Sequence, residues 1–269
     1  MMVRAAAMPV AVQHRGRRRL RRLLFGVAYV AIVLISWEVL VRALNIGKLV
    51  LPTPSAVGGQ AVKFAGLLAS SSLVTLTEAA LGFLLAIGVG IGLALIITYS
   101  ASVGPVIMTT LVGINATPKV AVAPILIIWL GLGLESKIAL AFLLSFFPIV
   151  VNSVRGFADV PVDLLNLYRL IHATPLQVFR KVRLPSALPS IFDGFKIALP
   201  VSLIGAVAGA FVAARQGIGY QIAISFANFN TPLVFAEVLT IAILATIQFQ
   251  ILGMIEDRVL FWRPSKQRF

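Results

Sequence analysis

The chain has 269 residues, of which 59% are apolar and only 12% are charged, and its formal net charge is +14. Soluble domains carry about 25% charged residues, so this composition argues against a soluble globular protein. The chain has no Cys and only two His, which excludes disulfides, thiol catalysis and thiolate metal sites. We expect no metal site and no cofactor. The cations lie beside apolar segments, without the basic stripe and interleaved aromatics that indicate nucleic-acid binding.

Six apolar segments are long enough to cross a membrane, which takes about 20 residues of helix. They are residues 23–44, 72–98, 105–130, 137–157, 187–213 and 234–256. The first is too long for the apolar core of a signal peptide, so we expect it to be retained. Pro118 and Pro124 interrupt the third, which we expect to be kinked or broken, and Pro148 and Pro200 should bend the fourth and fifth. The predicted fold class is all-α, a polytopic membrane protein with about six transmembrane helices.

The distribution of Lys and Arg predicts the orientation of these spans. A basic tail, 1–22, precedes the transmembrane domain, 23–258, and a short tail, 259–269, follows it. With the N-terminus in the cytoplasm, 17 Lys and Arg lie inside and five outside, while Lys119 falls within a span. We therefore predict that both termini and the loop 159–186 are cytoplasmic.

Two spans carry small residues at a spacing of four, which places each set on one helix face. The sets are Gly82, Ala86, Gly90 and Ala94, and Gly205, Gly209 and Ala213. Such faces allow close approach of two helices, inside a bundle or across a dimer. The alternative is that Gly and Ala are simply common in membrane helices.

The loop 159–186 is the longest hydrophilic insertion between spans, and its first half predicts a short helix. Pro161 suits a first-turn position, Asp163 in that turn favours the positive end of the helix dipole, and the helix should end near His172. One face carries the apolar residues Leu164, Tyr168 and Ile171. This face is suited to docking in the groove of a partner, or to packing on the ends of the chain's own helices.

A second helix is predicted from the following residues. Thr174, Pro175 and Gln177 fit the N-cap, N1 and N3 positions of a capping box. Basic residues crowd its last turn, and we expect Leu184-Pro185 to end it.

The same loop resembles the cytoplasmic signature of ABC importer permeases, which is Glu-Ala-Ala, three residues, Gly, nine residues, then an aliphatic residue, any residue and Leu-Pro. Its second half matches, because Val182-Arg183-Leu184-Pro185 stands at the family spacing. Its first half departs, because Asn166 replaces the Glu, Leu167 and Tyr168 replace the two Ala, and His172 replaces the Gly.

Further fragments extend the resemblance over about residues 35–260. In chain order they are Trp37-Glu38, Leu51-Pro52-Thr53-Pro54-Ser55, Gly82-Phe83, Pro118-Lys119-Val120-Ala121, Pro124, Trp129-Leu130-Gly131, Phe147-Pro148-Ile149 and Gly217-Ile218-Gly219-Tyr220. Together they are similar to the nitrate/sulfonate/taurine/bicarbonate branch of these permeases. The resemblance implies the type I ABC importer permease (MetI-like) fold, in the inner membrane of a bacterial cell.

The resemblance also implies a set of partners. These are a dimer of separate ATPase subunits that binds the ATP, a second permease copy in a homodimer, a periplasmic or lipid-anchored binding protein, and the lipid bilayer. The residues expected to couple the loop to the ATPase are Asp163, Leu164, Leu165, Asn166, Tyr168, Arg169, His172, Leu184 and Pro185. Asp163 is the candidate to supply the charge that Asn166 lacks. Because the chain has no phosphate-binding Gly-x4-Gly-Lys-Ser/Thr loop, no catalytic residue is assigned.

Several ionisable residues fall within or beside the spans. Lys119, with Asn115 and Thr117 nearby, is a candidate to line the pathway and attract an anion, or else it satisfies carbonyls freed by the prolines. Glu38 and Arg42 are spaced to form an i, i+4 pair. Glu78 and Glu237 are isolated acids in the sequence pattern, and we expect them at solvated interfacial positions, the alternative being that either faces an aqueous vestibule.

The function predicted from the resemblance is the uptake of a small solute, such as a sulfonate, taurine or nitrate. A vitamin precursor or other heterocycle is the alternative substrate within the same branch. From another class, a secondary transporter or channel would need ionisable relays inside several spans or an inverted repeat, and neither is evident. An intramembrane enzyme would need a nucleophile–base pair or a metal cluster, and His172 has no partner in the sequence pattern.

Overall fold

The computed structural model describes residues 13–212 and 214–262. Most of the predicted N-terminal tail and of the predicted C-terminal tail lies outside these residues. Within them the regular secondary structure is helical, and no strand occurs. The prediction of an all-α fold is therefore confirmed.

The α-helices of the described residues are joined by short connections. In chain order they are α1 (Gln13–Ala43), α2 (Pro54–Lys63), α3 (Ala65–Tyr99), α4 (Gly104–Asn115), α5 (Ala123–Leu130), α6 (Leu134–Ala158), α7 (Val162–Leu170), α8 (Pro175–Val178), α9 (Leu184–Val212), α10 (Ile218–Ala227) and α11 (Thr231–Val259). A 3-10 turn (Lys119–Val122) precedes α5, and a π-helical turn (Phe179–Arg183) joins α8 to α9.

Each of the six predicted spans overlaps a helix or a helix pair. Within the described residues four helical stretches are long and apolar enough to cross a membrane: α3, α6, the continuous stretch Pro175–Val212, and α11. A fifth is the third predicted span, in which α4 and the segment Lys119–Leu130 are bent by 83°. The break that Pro118 and Pro124 predict is therefore confirmed. The first predicted span lies in α1.

Helix α6 is the centre of the bundle, with α3 on one side and α9 on the other. Its Ala141 is fully buried and lies against a glycine of each neighbour. A Cβ atom on Gly82 of α3 would lie 2.6 Å from the Cβ of Ala141, and one on Gly205 of α9 would lie 2.7 Å from its Cα. Gly82 and Gly205 therefore pack inside this bundle, which is one of the two packing arrangements that the sequence allows.

Two helices outside the long spans begin at residues whose chemistry favours a helix start. The side chain of Thr53 accepts a hydrogen bond from the N–H of Ala56, and Pro54 follows it in the first turn of α2. Helix α2 lies between the first two predicted spans, where the sequence analysis assigns no helix. Helix α10 follows its N-cap residue Gly217, whose φ of +96° favours Gly.

Aromatic contacts and one hydrogen bond define the two ends of the bundle. At one end, which we call the loop end, the ring of Phe157 lies 6.1 Å from that of Phe179. At the opposite end, the N–H of Ile218 donates to Oγ1 of Thr75 over 2.9 Å. The loop between α6 and α9 therefore projects from the end of the bundle remote from α2 and α10.

Candidate functional site: the loop between α6 and α9

Helix α7 carries most of the predicted coupling residues and buries none of its side chains. Leu164 is 41% exposed and Leu170 is 78% exposed, while Leu165 and Tyr168 are half-buried. Asp163 lies in the first turn, as predicted, but Pro161 is the N-cap residue rather than a member of that turn. Within the described residues, the chain's own helix ends thus leave Leu164 and Leu170 exposed and cover Leu165 and Tyr168 only in part.

The end of α7 is a Schellman motif with His172 in the position that Gly usually occupies. His172 has a φ of +52°. Its N–H donates to the carbonyl of Arg169 at 3.0 Å, and the N–H of Ala173 donates to the carbonyl of Tyr168 at 3.0 Å. These two bonds satisfy carbonyls that a helix end leaves free. His172 therefore forms the turn that the family signature assigns to Gly, at the cost of a left-handed backbone on a residue with a Cβ atom.

The start of α8 is the predicted capping box. The N–H of Gln177 donates to Oγ1 of Thr174 at 3.4 Å, and the N–H of Thr174 donates to Oε1 of Gln177 at 2.9 Å. Pro175 follows Thr174 at the first helical position. The loop is thereby fixed as two helices that meet at a tight turn.

The prediction that Leu184-Pro185 ends the second helix is wrong, because the chain remains helical from Pro175 to Val212. The π-helical turn Phe179–Arg183 explains the continuity: the N–H of Leu184 donates to the carbonyl of Phe179, five residues back. This wider turn comes directly before Pro185. A proline inside an α-helix lacks one N–H and crowds the carbonyl four residues earlier, and a π-turn relieves both problems.

The π-helical turn is anchored to the bundle at the loop end. Val182 is only 3% exposed, and Phe179 and Leu184 pack on the buried cluster that contains Phe157. The guanidinium of Arg183 lies 4.9 Å from the centre of the Tyr99 ring, within range of a cation–π interaction. The sequence does not predict this contact, because Tyr99 and Arg183 lie far apart in the chain and are brought together only by the fold.

Asn166 and Arg169 are exposed and adjacent on α7. Nη1 of Arg169 donates to Oδ1 of Asn166 at 3.5 Å. Asp163, one turn earlier, is exposed and takes part in no ion pair within the described residues. The structure thus places a free carboxylate on the same helix as the Asn that replaces the family's Glu.

The possible pathway residues lie at the break between α4 and α5. The ammonium of Lys119 donates to Oδ1 of Asn115, and it lies 5.8 Å from the centre of the Phe147 ring. The hydroxyl of Thr117 donates instead to the carbonyl of Ile114 at 2.7 Å. The structure therefore brings together Lys119 and Asn115 at a half-buried position and does not include Thr117 in that contact.

The interpretation of Glu78 and Glu237 as isolated, solvated acids is wrong, because both side chains are fully buried. Oε1 of Glu78 lies 2.6 Å from Nζ of Lys137, which joins α3 to α6. Oε1 of Glu237 accepts a hydrogen bond from the hydroxyl of Ser225 at 2.8 Å. The expected pair of Glu38 and Arg42 is present, with 2.5 Å between Oε1 and Nη2.

The cross-helix pair of Glu78 and Lys137 is a polar feature that the sequence reading missed. Buried charges are paired in folded proteins, so an acid in one span and a base in another could have indicated it. Glu78 and Lys137 line a cavity of about 250 Å³ together with Arg215 and Gln216. Among the described residues, no three His, Cys, Asp or Glu side chains are grouped so as to hold a metal ion.

Comparison with solved structures identifies the fold. A chain of an inward-facing MetNI methionine ABC transporter matches with a TM-score of 0.61 and 19% identity, over 74% of this chain and 96% of that one. A chain of an amino acid ABC transporter matches with a TM-score of 0.57 and 18% identity, over 75% and 96%. The helical arrangement is therefore that of a type I ABC importer permease.

Comparison of sequences identifies the family. The chain is 34% identical to the riboflavin transport system permease protein RibX of Chloroflexus aurantiacus, over 87% of this chain and 88% of that protein. It is 31% identical to the formylaminopyrimidine transport permease protein ThiX of Halalkalibacterium halodurans, over 87% and 94%. It is 28% identical to SsuC of Bacillus subtilis, named as an aliphatic sulfonates transport permease, over 95% and 93%.

The family model for the binding-protein-dependent transport system inner membrane component matches residues 86–261. The chain belongs to this family, and it is a membrane-spanning permease subunit of an ABC importer. The resemblance seen in the sequence is confirmed. Members of the family are transport components rather than enzymes, and the ATP is bound by a separate ATPase subunit.

Proposed function

We propose that α7, α8 and the π-helical turn form the segment that docks on the ATPase dimer and transmits its movement to the membrane helices. The proposal is supported by the different surroundings of α7 and of the stretch that begins at Pro175. Helix α7 has no buried side chain and projects from the bundle, whereas the chain from Pro175 runs as one continuous helix to Val212 within it. A partner that binds α7 would therefore transmit its movement to the continuous helix Pro175–Val212, which packs within the bundle.

The contacts at the loop end support this mechanism. Val182 and the ring contacts of Phe179 and Arg183 fix the π-helical turn against α6 and α3. Helix α6 in turn packs tightly against α3 and α9 through Ala141. A force applied at α7 would therefore move α3, α6 and α9 together, as rocking of the bundle requires.

Substitution of Asp163 tests the docking role of α7. We expect Asp163→Arg to abolish stimulation of the ATPase in liposomes while the protein still inserts, because the free carboxylate is the proposed partner of a basic group on the ATPase. Asp159→Arg is the matched control, since Asp159 is exposed but lies at the end of α6, outside α7. Normal transport and normal ATPase stimulation in Asp163→Arg would refute the proposal.

The proposed assembly has two copies of this chain, the ATPase dimer and a soluble binding protein, with both termini on the cytoplasmic side of a bacterial inner membrane. The chain has no Cys, so single Cys substitutions report its orientation directly. Leu170 on α7 is 78% exposed and Val62 on α2 is 80% exposed. We expect an impermeant thiol reagent added to intact cells to label Val62→Cys and not Leu170→Cys. The opposite pattern would reverse the orientation.

The proposed cargo is a small anion, such as a sulfonate, attracted by the half-buried Lys119 at the break between α4 and α5. The names of RibX and ThiX favour a second candidate, a vitamin-type heterocycle. Uptake of ethanesulfonate and of riboflavin by Lys119→Gln separates the two, since only anion uptake should fall if Lys119 lines the pathway. Transport by the chain alone, without an ATPase, would instead favour a secondary transporter.

A further inference from the structure

A cavity of about 690 Å³ lies where α1 ends and α2 begins, at the end of the bundle opposite the loop. Its polar lining comes from Arg42, Lys48, Asn45, Thr53 and Ser55, and none of the described residues that line it is acidic. Two cations and one amide supply the hydrogen-bond donors of the cavity, since the hydroxyl of Ser55 donates to Glu38 and that of Thr53 lies 3.1 Å from the Ser55 hydroxyl. Such a lining suits a phosphate group, which offers several acceptor oxygens and a negative charge.

The walls of the cavity are held by specific backbone and side-chain contacts. Asn45, with a φ of +48°, ends α1 in a second Schellman motif: its N–H donates to the carbonyl of Arg42 at 3.2 Å, and that of Ile46 donates to the carbonyl of Val41 at 3.1 Å. The hydroxyl of Thr231 on α11 donates to the carbonyl of Leu49 at 3.0 Å. The segment between α1 and α2 is thereby tied to both the helix before it and α11.

The charges around the cavity leave a net positive site. Glu38 accepts hydrogen bonds from the N–H and the hydroxyl of Ser55 at 3.0 and 2.8 Å, and so it already occupies the N-terminus of α2. The carboxylate of Glu38 also forms an ion pair with Arg42, whose side chain remains 67% exposed. Lys48 makes no ion pair or side-chain hydrogen bond within the described part of the chain. Because Glu38 neutralises only one of the two cations Arg42 and Lys48, the site keeps a net positive charge.

Apolar side chains that adjoin the cavity residues in the chain are left uncovered by the bundle. Leu44 and Leu49 are each 63% exposed, and Val50 is 76% exposed. They lie just beyond the apolar part of α1, at the level where a spanning helix leaves the hydrocarbon core. A phospholipid matches both features, because its phosphate meets the cations while its acyl chains cover the neighbouring apolar side chains. A soluble phosphate would satisfy only the first.

We infer that this cavity binds the phosphate headgroup of an anionic phospholipid. The site is independent of the loop between α6 and α9, and so of the proposed docking of the ATPase. Its role would be to hold the α1–α2 connection at a fixed depth in the membrane. Arg42 and Lys48 supply the charge, and Asn45 and Thr53 supply neutral hydrogen-bonding groups.

Lipid binding to the purified transporter complex tests the inference. Phosphatidylglycerol is titrated in detergent, with phosphatidylcholine as the neutral lipid, and bound lipid is counted by native mass spectrometry. Each cation near a lipid phosphate contributes about 1 kcal/mol, so we expect Lys48→Gln to weaken phosphatidylglycerol binding about fivefold and Arg42→Gln/Lys48→Gln to weaken it further. Lys63→Gln is the control, since Lys63 is exposed on α2 but does not line the cavity.

The variants at Lys48 and Lys63 distinguish lipid binding in this cavity from nonspecific binding to the protein. Lys48→Gln removes a side chain that has no side-chain partner in the described residues, so a change in binding cannot come from lost folding contacts. A selective loss for phosphatidylglycerol, absent in Lys63→Gln, supports the site. An equal effect of Lys48→Gln and Lys63→Gln overturns it. Inorganic phosphate or glycerol phosphate that displaces the lipid at comparable concentration would overturn the lipid as the occupant and leave a site for a soluble phosphate.

Discussion

Lys196 on α9 and Glu256 on α11 form an ion pair with 2.6 Å between Nζ and Oε2. Asp193, one turn before Lys196, brings a second carboxylate to 3.9 Å from the same ammonium. Helix α11 buries few of its side chains, among them Leu233, Ala236, Glu237 and Leu252. A polar contact in the last turn of α11 is therefore one of the interactions that hold this helix against α9.

Reversal of the charge on Lys196 should weaken this attachment. Lys196→Glu would place three carboxylates together, and we expect a loss of about 1 kcal/mol of stability, because the pair is only partly shielded from solvent. The thermal unfolding temperature of the purified complex in detergent measures the effect. The double variant Lys196→Glu/Glu256→Lys should recover part of the loss. No recovery would show that Lys196 acts through packing rather than through charge.

The glycines of α3 predict opposite responses to the same substitution. A Cβ atom on Gly82 would meet Ala141 at 2.6 Å and the carbonyl oxygen of Ile138 at 2.8 Å, whereas one on Gly92 would meet nothing within 4 Å. Gly82→Ala should therefore lower stability by about 1–3 kcal/mol through overpacking, while Gly92→Ala should be neutral or raise it by up to about 1 kcal/mol through helix propensity. Thermal unfolding of both variants checks the contrast, and equal effects would contradict the close approach of α3 to α6.

Substitutions of Glu78 and Lys137 should have coupled, non-additive effects on stability, because the two buried side chains form an ion pair. Either single change, Glu78→Gln or Lys137→Met, leaves one charge buried without its partner, which typically costs about 3–5 kcal/mol. We expect the double variant to be much less destabilised than the sum of the two. A double-mutant cycle on unfolding temperature or expression yield measures the coupling. Additive effects would mean that the two side chains do not share the contact that the structure shows.

The sequence predicted the long apolar helices α3, α6, α9 and α11 because hydropathy along the chain indicates where a helix can cross a membrane. The break in the third span was predictable too, since Pro118 and Pro124 remove backbone donors at known positions. The capping box at Thr174 followed from a local pattern of three residues. Each of these features depends on neighbours along the chain, so the tertiary fold was not needed to find it.

The features that the sequence did not predict depend on which helices are neighbours. Whether Glu78 meets solvent or Lys137 depends on the packing of α3 against α6, which a single sequence does not encode locally. The continuity of α8 into α9 was missed because Pro185 normally marks a helix end, and a π-turn that accommodates it has no simple sequence pattern. The same limit applies to Arg183 and Tyr99, which are brought together only by the fold.

The turn after α7 provides the last prediction. His172 adopts a φ of +52°, a backbone conformation that costs a residue with a Cβ atom about 1–2 kcal/mol and costs Gly almost nothing. His172→Gly should therefore preserve the two hydrogen bonds of the Schellman motif and slow hydrogen exchange at the amides of His172 and Ala173. His172→Val should speed exchange there, because a β-branched residue tolerates this conformation least.

Stimulation of the ATPase should change in the same order as hydrogen-exchange protection if docking requires α7 to keep a fixed orientation. We expect ATPase stimulation in liposomes to be kept or raised in His172→Gly and reduced in His172→Val. The His172 ring is exposed, and among the atoms of the described residues its one hydrogen-bond contact joins Nδ1 to the carbonyl of Arg169 at 3.3 Å. A loss of stimulation in His172→Gly with unchanged exchange would therefore assign the imidazole itself a direct contact with the partner and contradict a purely conformational role.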